Sequence, residues 1–175
     1  INIGLETAVS ESFSFFQKYV KELNQRGIIL AVCSKNDFQN AKEGFEHPDS
    51  VLEFGDFSSF KSNWTAKHHN ILDIAQEINI GTDSLVFIDD NPVERDLVSS
   101  QIPSVSVPNI GSEVINFIDH IDRGGFFETT SLLIDDINRN KYYEENVKRN
   151  EEQSTFQSYD DFLISLKMTA QIETF

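Results

Sequence analysis

Two short stretches of this sequence bring together residue types that do chemistry, and each closely follows an apolar run. The first is Cys33-Ser34-Lys35-Asn36-Asp37, where residues 28–33 read Ile-Ile-Leu-Ala-Val-Cys. A serine hydroxyl beside backbone N–H groups at a helix start can hold an anionic oxygen; the plainer role for Ser34 is to cap a turn. Cys33 is either an inert small hydrophobe or, beside a lysine and a helix N-terminus, a thiol of lowered pKa that makes a nucleophile. The second stretch is Asp89-Asp90, directly after Leu85-Val86-Phe87-Ile88. Two adjacent carboxylates at a buried strand end repel each other unless a cation neutralises them. Ligands that are all oxygen suit Mg²⁺, which keeps waters and joins carboxylates to a phosphate. Otherwise one aspartate caps the next helix and the other faces water. Lys67 is the third element. It falls three residues after Trp64 and four before Ile71, on the apolar stripe of its helix. A lysine there needs an anionic partner or a route by which its stem reaches water. Pairing with Asp89 or Asp90 would aim its ammonium at a bound phosphate. His68-His69 lack the i, i+4 spacing of a metal pair and, like His47 and His120, read as surface or supporting residues.

These residues need elements to hold them. Phe13, Phe16, Val20 and Leu23 recur with helical spacing, which predicts a helix over 10–25 stopped by Gly27. The run 28–33 predicts a strand buried on both faces. Asp37 opens a short helix ended at His47-Pro48-Asp49, and a short strand is expected over 51–54. A long helix is expected from Ser62 to about residue 79, with Gly81 as its stop. A second buried strand covers 84–88, and Asn91-Pro92 reads as an N-cap followed by a first helical residue. Val105 and Val107 suggest one more strand, then Val114, Phe117, Ile118 and Ile121 a helix closed by Gly124-Gly125. Strand and helix alternate, so the fold class is α/β with a parallel sheet. Ligands of such sheets bind beyond the carboxyl ends of the strands, where both polar stretches fall. Beyond residue 111 helices are expected over 135–152 and from Ser158, and a terminal strand-like piece over 168–175.

The chain has 175 residues, enough for one domain with an appendage. Fourteen Lys+Arg against 29 Asp+Glu give a net charge of −15. Such a surface repels phosphate backbones, so no nucleic-acid partner is expected, while a small phosphorylated substrate remains compatible with a local cationic pocket. The single cysteine excludes an internal disulfide framework and a Cys-rich zinc site. No apolar run reaches membrane-spanning length, and no signal-peptide pattern opens the chain, so a cytoplasmic protein without a membrane partner is expected. The opening at Ile1 and the strand-like close suggest an excerpt of something longer.

Taken together, Val32-Cys33-Ser34-Lys35-Asn36-Asp37, Asn63-Trp64 through Lys67, residues 85–95 (Leu-Val-Phe-Ile-Asp-Asp-Asn-Pro-Val-Glu-Arg) and residues 126–132 (Phe-Phe-Glu-Thr-Thr-Ser-Leu) resemble the FkbH-like proteins. These are a branch (subfamily IIIC) of the haloacid dehalogenase (HAD) superfamily. The resemblance runs from about residue 3 to 175. It implies a three-layer, Rossmann-like parallel sheet with helices on both faces: a core over 1–110, a helical extension over 111–167, and at 168–175 the start of a following domain. Carried over residue by residue, Ser34 resembles the second HAD motif and Lys67 the third, both phosphate-binding. Asp89 and Asp90 resemble the fourth, the acidic pair that supports Mg²⁺. The resemblance also implies an activity. A phosphoglyceryl group from 1,3-bisphosphoglycerate is dephosphorylated and the glyceryl unit passed to an acyl carrier protein, with Cys33 as the natural thioester carrier. A simple small-molecule phosphatase would share every one of these residues except the need for Cys33. A non-catalytic receiver-like or scaffold domain would use the acidic pair only structurally.

One departure stands out. The first HAD motif, an Asp-x-Asp that supplies nucleophile and general acid, has no counterpart in the sequence. It is expected upstream of Ile1, on a strand lying between 28–33 and 84–88. Three arrangements are therefore expected: those two segments pair directly, another segment lies between them, or a gap separates them. Direct pairing would contradict the HAD strand order.

Overall fold

The computed structural model describes residues 8–128, together with 142, 143, 145, 146, 148, 149, 164 and 165. The last eight are helical. The remaining positions expected in helices over 135–152 and from Ser158, and all of 168–175, lie outside the described residues.

Helix α1 (Ala8–Gln25) carries the predicted stripe, with Leu23 buried at its end. Gly27 stops it. Its φ of 90° lets its N–H reach the Asn24 carbonyl at 2.9 Å while Ile28 N–H reaches that of Leu23 at 3.1 Å. This pair of bonds satisfies carbonyls that the helix leaves open, and glycine meets the left-handed turn without a Cβ clash. The chain then enters strand β1 (Leu30–Ser34), two residues later than predicted. Helix α2 (Phe38–Glu46) follows, and strand β2 (Phe57–Ser62) returns to lie parallel to β1, with Val32 opposite Phe60 and Ser34 opposite Ser62.

Three expectations are corrected here. Residues 51–54 are not a strand; a 3-10 turn at Phe54–Asp56 precedes the true one. The strand lies over Phe57–Ser62, where Phe57 and Phe60 pack edge-on with Phe45, and Phe60 also edge-on with Phe38 and tilted against Phe54. Helix α3 spans Lys67–Ile78, so Ser62 closes a strand and Trp64 lies in a loop, off the helical stripe. The stop of α3 is Asn79, in the left-handed region at φ 60°, rather than Gly81. Asparagine tolerates that conformation better than most residues.

Of the strand expected over 84–88, Ser84 instead closes a 3-10 turn (Thr82–Ser84), and the segment after it pairs only through Val86, which bridges in parallel to Ser106. Phe87 N–H donates to the Ser106 carbonyl at 2.8 Å and Ser106 N–H to that of Leu85 at 3.0 Å. Helix α4 (Pro92–Gln101) follows, and a 3-10 turn (Val114–Asn116) leads into helix α5 (Phe117–Arg123). Ile71 of α3, Phe87, Val98 and Ile102 of the α4 region, and Val105 form one buried cluster, with Cys33 packed against it. Ile110, Phe117 and Ile121 form a second, covered by Phe16 and Tyr19 of α1 and by Ile88.

Among the described residues, β1 and 84–88 do not pair with each other. A largely apolar cavity of about 540 Å³ lies between them, lined by residues 28–31, Cys33 and 84–88, with Phe16 and Leu23 of α1 among its walls. Direct pairing, the arrangement that would have contradicted the HAD order, is therefore not what the described residues adopt.

Candidate active site

Ser34 is the last residue of β1, where the strand's N–H and C=O groups begin to leave the ladder. Its carbonyl accepts from Asn63 N–H at 3.1 Å, which draws the loop before α3 to the same strand end. Its hydroxyl has no hydrogen-bond partner among the described residues and is half-buried. Lys67 opens α3 directly after that loop. Its Nζ lies against Asp89 Oδ2, and its ammonium also sits 5.9 Å above the Phe87 ring. The Lys67 side chain is 12% exposed and that of Asp89 6%, so the pair is largely shielded from water.

Each carboxylate oxygen of Asp89 has one partner among the described residues, Lys67 for Oδ2. Its Oδ1 accepts from Asn91 N–H at 2.9 Å, and its backbone carbonyl from Arg95 Nη1 at 2.7 Å. Asp90 is exposed and makes no hydrogen bond or ion pair among the described residues. Asn91 then caps α4, its Oδ1 accepting from Val93 N–H at 3.0 Å, with Pro92 as the first helical residue as predicted.

Cys33 closes the group from the β1 side. Its Sγ lies 3.6 Å from the Lys67 carbonyl, to which the thiol donates. Burial pushes the thiol up from 9.0 to about 11, the nearby Lys67 ammonium opposing and Asp89 and Glu94 reinforcing the rise. At neutral pH it is a protonated thiol, the opposite of the lowered pKa that would make a nucleophile.

The structure thus joins Lys67 to Asp89, with Asp90 next in the chain, and ties Lys67 to the end of β1 through the Asn63 bond to Ser34 and the Cys33 thiol. Two participants carried no role in the sequence reading. Arg95 is buried and binds Asp89 O, Gly111 O at 3.2 Å and Asn109 Oδ1 at 3.1 Å. Glu94, also buried, takes Lys35 Nζ at 2.5 Å and so ties the turn after β1 to the start of α4. Arg95, three before Val98 and seven before Ile102, stands on the inward stripe of α4, a signal the sequence did contain.

No family model matches the chain, and no curated protein matches it. Among solved structures the chain is similar to the crystal structure of the N-terminal part of the protein BF1531 from Bacteroides fragilis, which contains a phosphatase domain and is complexed with Mg. The two share 42% identity at a TM-score of 0.72, over 75% of this chain and 35% of that one. This chain thus spans about a third of that protein's N-terminal part. The α/β architecture with a parallel sheet is common to both. No helix among the described residues is long and apolar enough to cross a membrane.

Proposed function

We propose that this chain carries the phosphate- and metal-binding half of a Mg²⁺-dependent phosphatase site of the HAD type. The observation that carries the reading is the meeting of Lys67 with Asp89 at the strand end that also bears Ser34. A lysine held by one carboxylate beside an uncommitted serine hydroxyl is an arrangement suited to an anionic oxygen. Ser34 donates to the phosphate, Lys67 offsets its charge, and Asp89 fixes where Lys67 points.

The donor chemistry fits Mg²⁺. Asp89 and Asp90 are hard oxygen ligands, the donor type that Mg²⁺ takes together with waters and a substrate phosphate. Asp90 is the uncommitted carboxylate of the two. They would hold Mg²⁺, which neutralises charge on a transferring phosphate. The solved neighbour with a phosphatase domain and Mg supports the same assignment.

The finer reading is a three-layer HAD sheet in which a further strand, ending in Asp-x-Asp, lies between β1 and 84–88. The cavity of about 540 Å³ supports this, since its apolar walls are the two flanking strand segments. The resemblance to FkbH-like proteins extends the activity to loading a glyceryl group from 1,3-bisphosphoglycerate onto an acyl carrier protein through Cys33. The thiol's raised pKa weighs against that step, so phosphate hydrolysis is the part the geometry supports best. The net charge of −15 accords with a protein that has no nucleic-acid partner, and the single cysteine with a reducing, cytoplasmic location.

The test is phosphate release from an acyl phosphate and from a simple phosphomonoester by the natural protein. Turnover that chelation abolishes and Mg²⁺ restores is expected. Absence of turnover, with no Mg²⁺ binding by calorimetry, would leave the scaffold reading in its place.

A further inference from the structure

We propose that Trp64 contacts the substrate directly, packing its indole against the carbon skeleton that carries the phosphate. The inference rests on the phosphate-site reading above and adds a residue that selects among organophosphates. Trp64 is 70% exposed, far from the usual state of a tryptophan, which buries most of its surface. Yet it is not loose. Its Nε1 donates to Asp37 Oδ1 at 3.2 Å. Asp37 occupies the N-cap position of α2 but makes no side-chain capping bond there. An aspartate there ordinarily caps the helix, and this carboxylate holds the indole instead.

The loop around Trp64 is equally fixed. Asn63 Oδ1 accepts from Thr65 N–H at 2.9 Å, and Asn63 exchanges two amide bonds, 3.2 and 2.9 Å, with the buried Asn70. Asn63 N–H also donates to the Ser34 carbonyl. Trp64 therefore sits on a rigid link between Ser34 and Lys67, the two residues assigned to phosphate. Ser34, Lys35, Lys67, Asp89 and Asp90 offer only polar contacts at this strand end. The indole supplies the apolar surface that the organic part of a substrate needs, and its flat face suits a ring or a row of C–H groups.

The experiment uses the natural protein with phenyl phosphate as substrate and inorganic phosphate as inhibitor. Trp64→Ala should raise KM for phenyl phosphate about tenfold, the scale of one good aromatic contact. The inhibition constant of inorganic phosphate, which has no carbon skeleton, should not move. Trp64→Phe keeps a ring in the same loop; it should raise KM less, and it serves if the alanine variant fails to fold. An unchanged KM in either variant would overturn the proposal. So would a parallel rise in the phosphate inhibition constant, because the indole would then act through the loop alone. If the parent protein neither turns over phenyl phosphate nor is inhibited by phosphate, the phosphate-site reading itself falls and this inference with it.

Discussion

The Lys67 ammonium rests against Asp89 Oδ2, joining the first residue of α3 to the end of the apolar segment before α4. Both side chains are largely buried, so each charge depends on the other. Removing one partner of such a pair leaves an uncompensated charge, which costs on the order of 3 kcal/mol. Lys67→Met and Asp89→Asn should each destabilise the domain by that order in urea denaturation. The double variant should cost clearly less than the two single losses added together. Simple additivity would mean that the two side chains are energetically independent.

Asp90 offers the contrasting experiment. It is exposed and has no partner among the described residues, so Asp90→Asn should leave the denaturation midpoint where it is. Its effect should fall on the metal: Mg²⁺ affinity should drop about tenfold or more, as expected when one of two anionic oxygen ligands loses its charge. Calorimetric titration measures it, and unchanged affinity would remove Asp90 from the site.

Arg95 holds three oxygens at once: Asp89 O, Gly111 O and Asn109 Oδ1. Arg95→Met leaves those acceptors without their donor and should cost about 2–3 kcal/mol. Arg95→Lys keeps the charge but not the planar fork and should recover only part of it. Thermal unfolding of the two variants distinguishes lost charge from lost geometry.

Cys33 should betray its burial through pH. Its thiol is raised from 9.0 to about 11 in the fold, so the folded state keeps the proton between those values while the unfolded chain gives it up. Stability from this group is whole below pH 9 and declines as pH rises toward 11. Alkylation by iodoacetamide should accordingly show a midpoint near 11 in the native protein and near 9 in urea. A native midpoint near neutrality would restore Cys33 as a thioester nucleophile.

Much of this site was legible in the order of residues. Asn91-Pro92 fixes the start of α4 because the cap and the proline act within one turn. Lys67 needed an anion because a lysine beside apolar helix positions has few other outcomes, and Asp89 provides it. The α/β class followed from apolar runs alternating with helical stripes. Tertiary structure decided the rest. The strand Phe57–Ser62 has no clean alternation, and only rings brought from 38, 45 and 54 make it one edge of the sheet. Trp64 fits the helical spacing of the following stripe, yet Asn63, bound to Ser34 and Asn70, holds the chain in a loop until Lys67. The Cys33 thiol could have been lowered or raised by its neighbours. Sequence names those neighbours, but only packing against the buried cluster that includes Ile71, Phe87 and Val98 set the desolvation that outweighs the Lys67 charge.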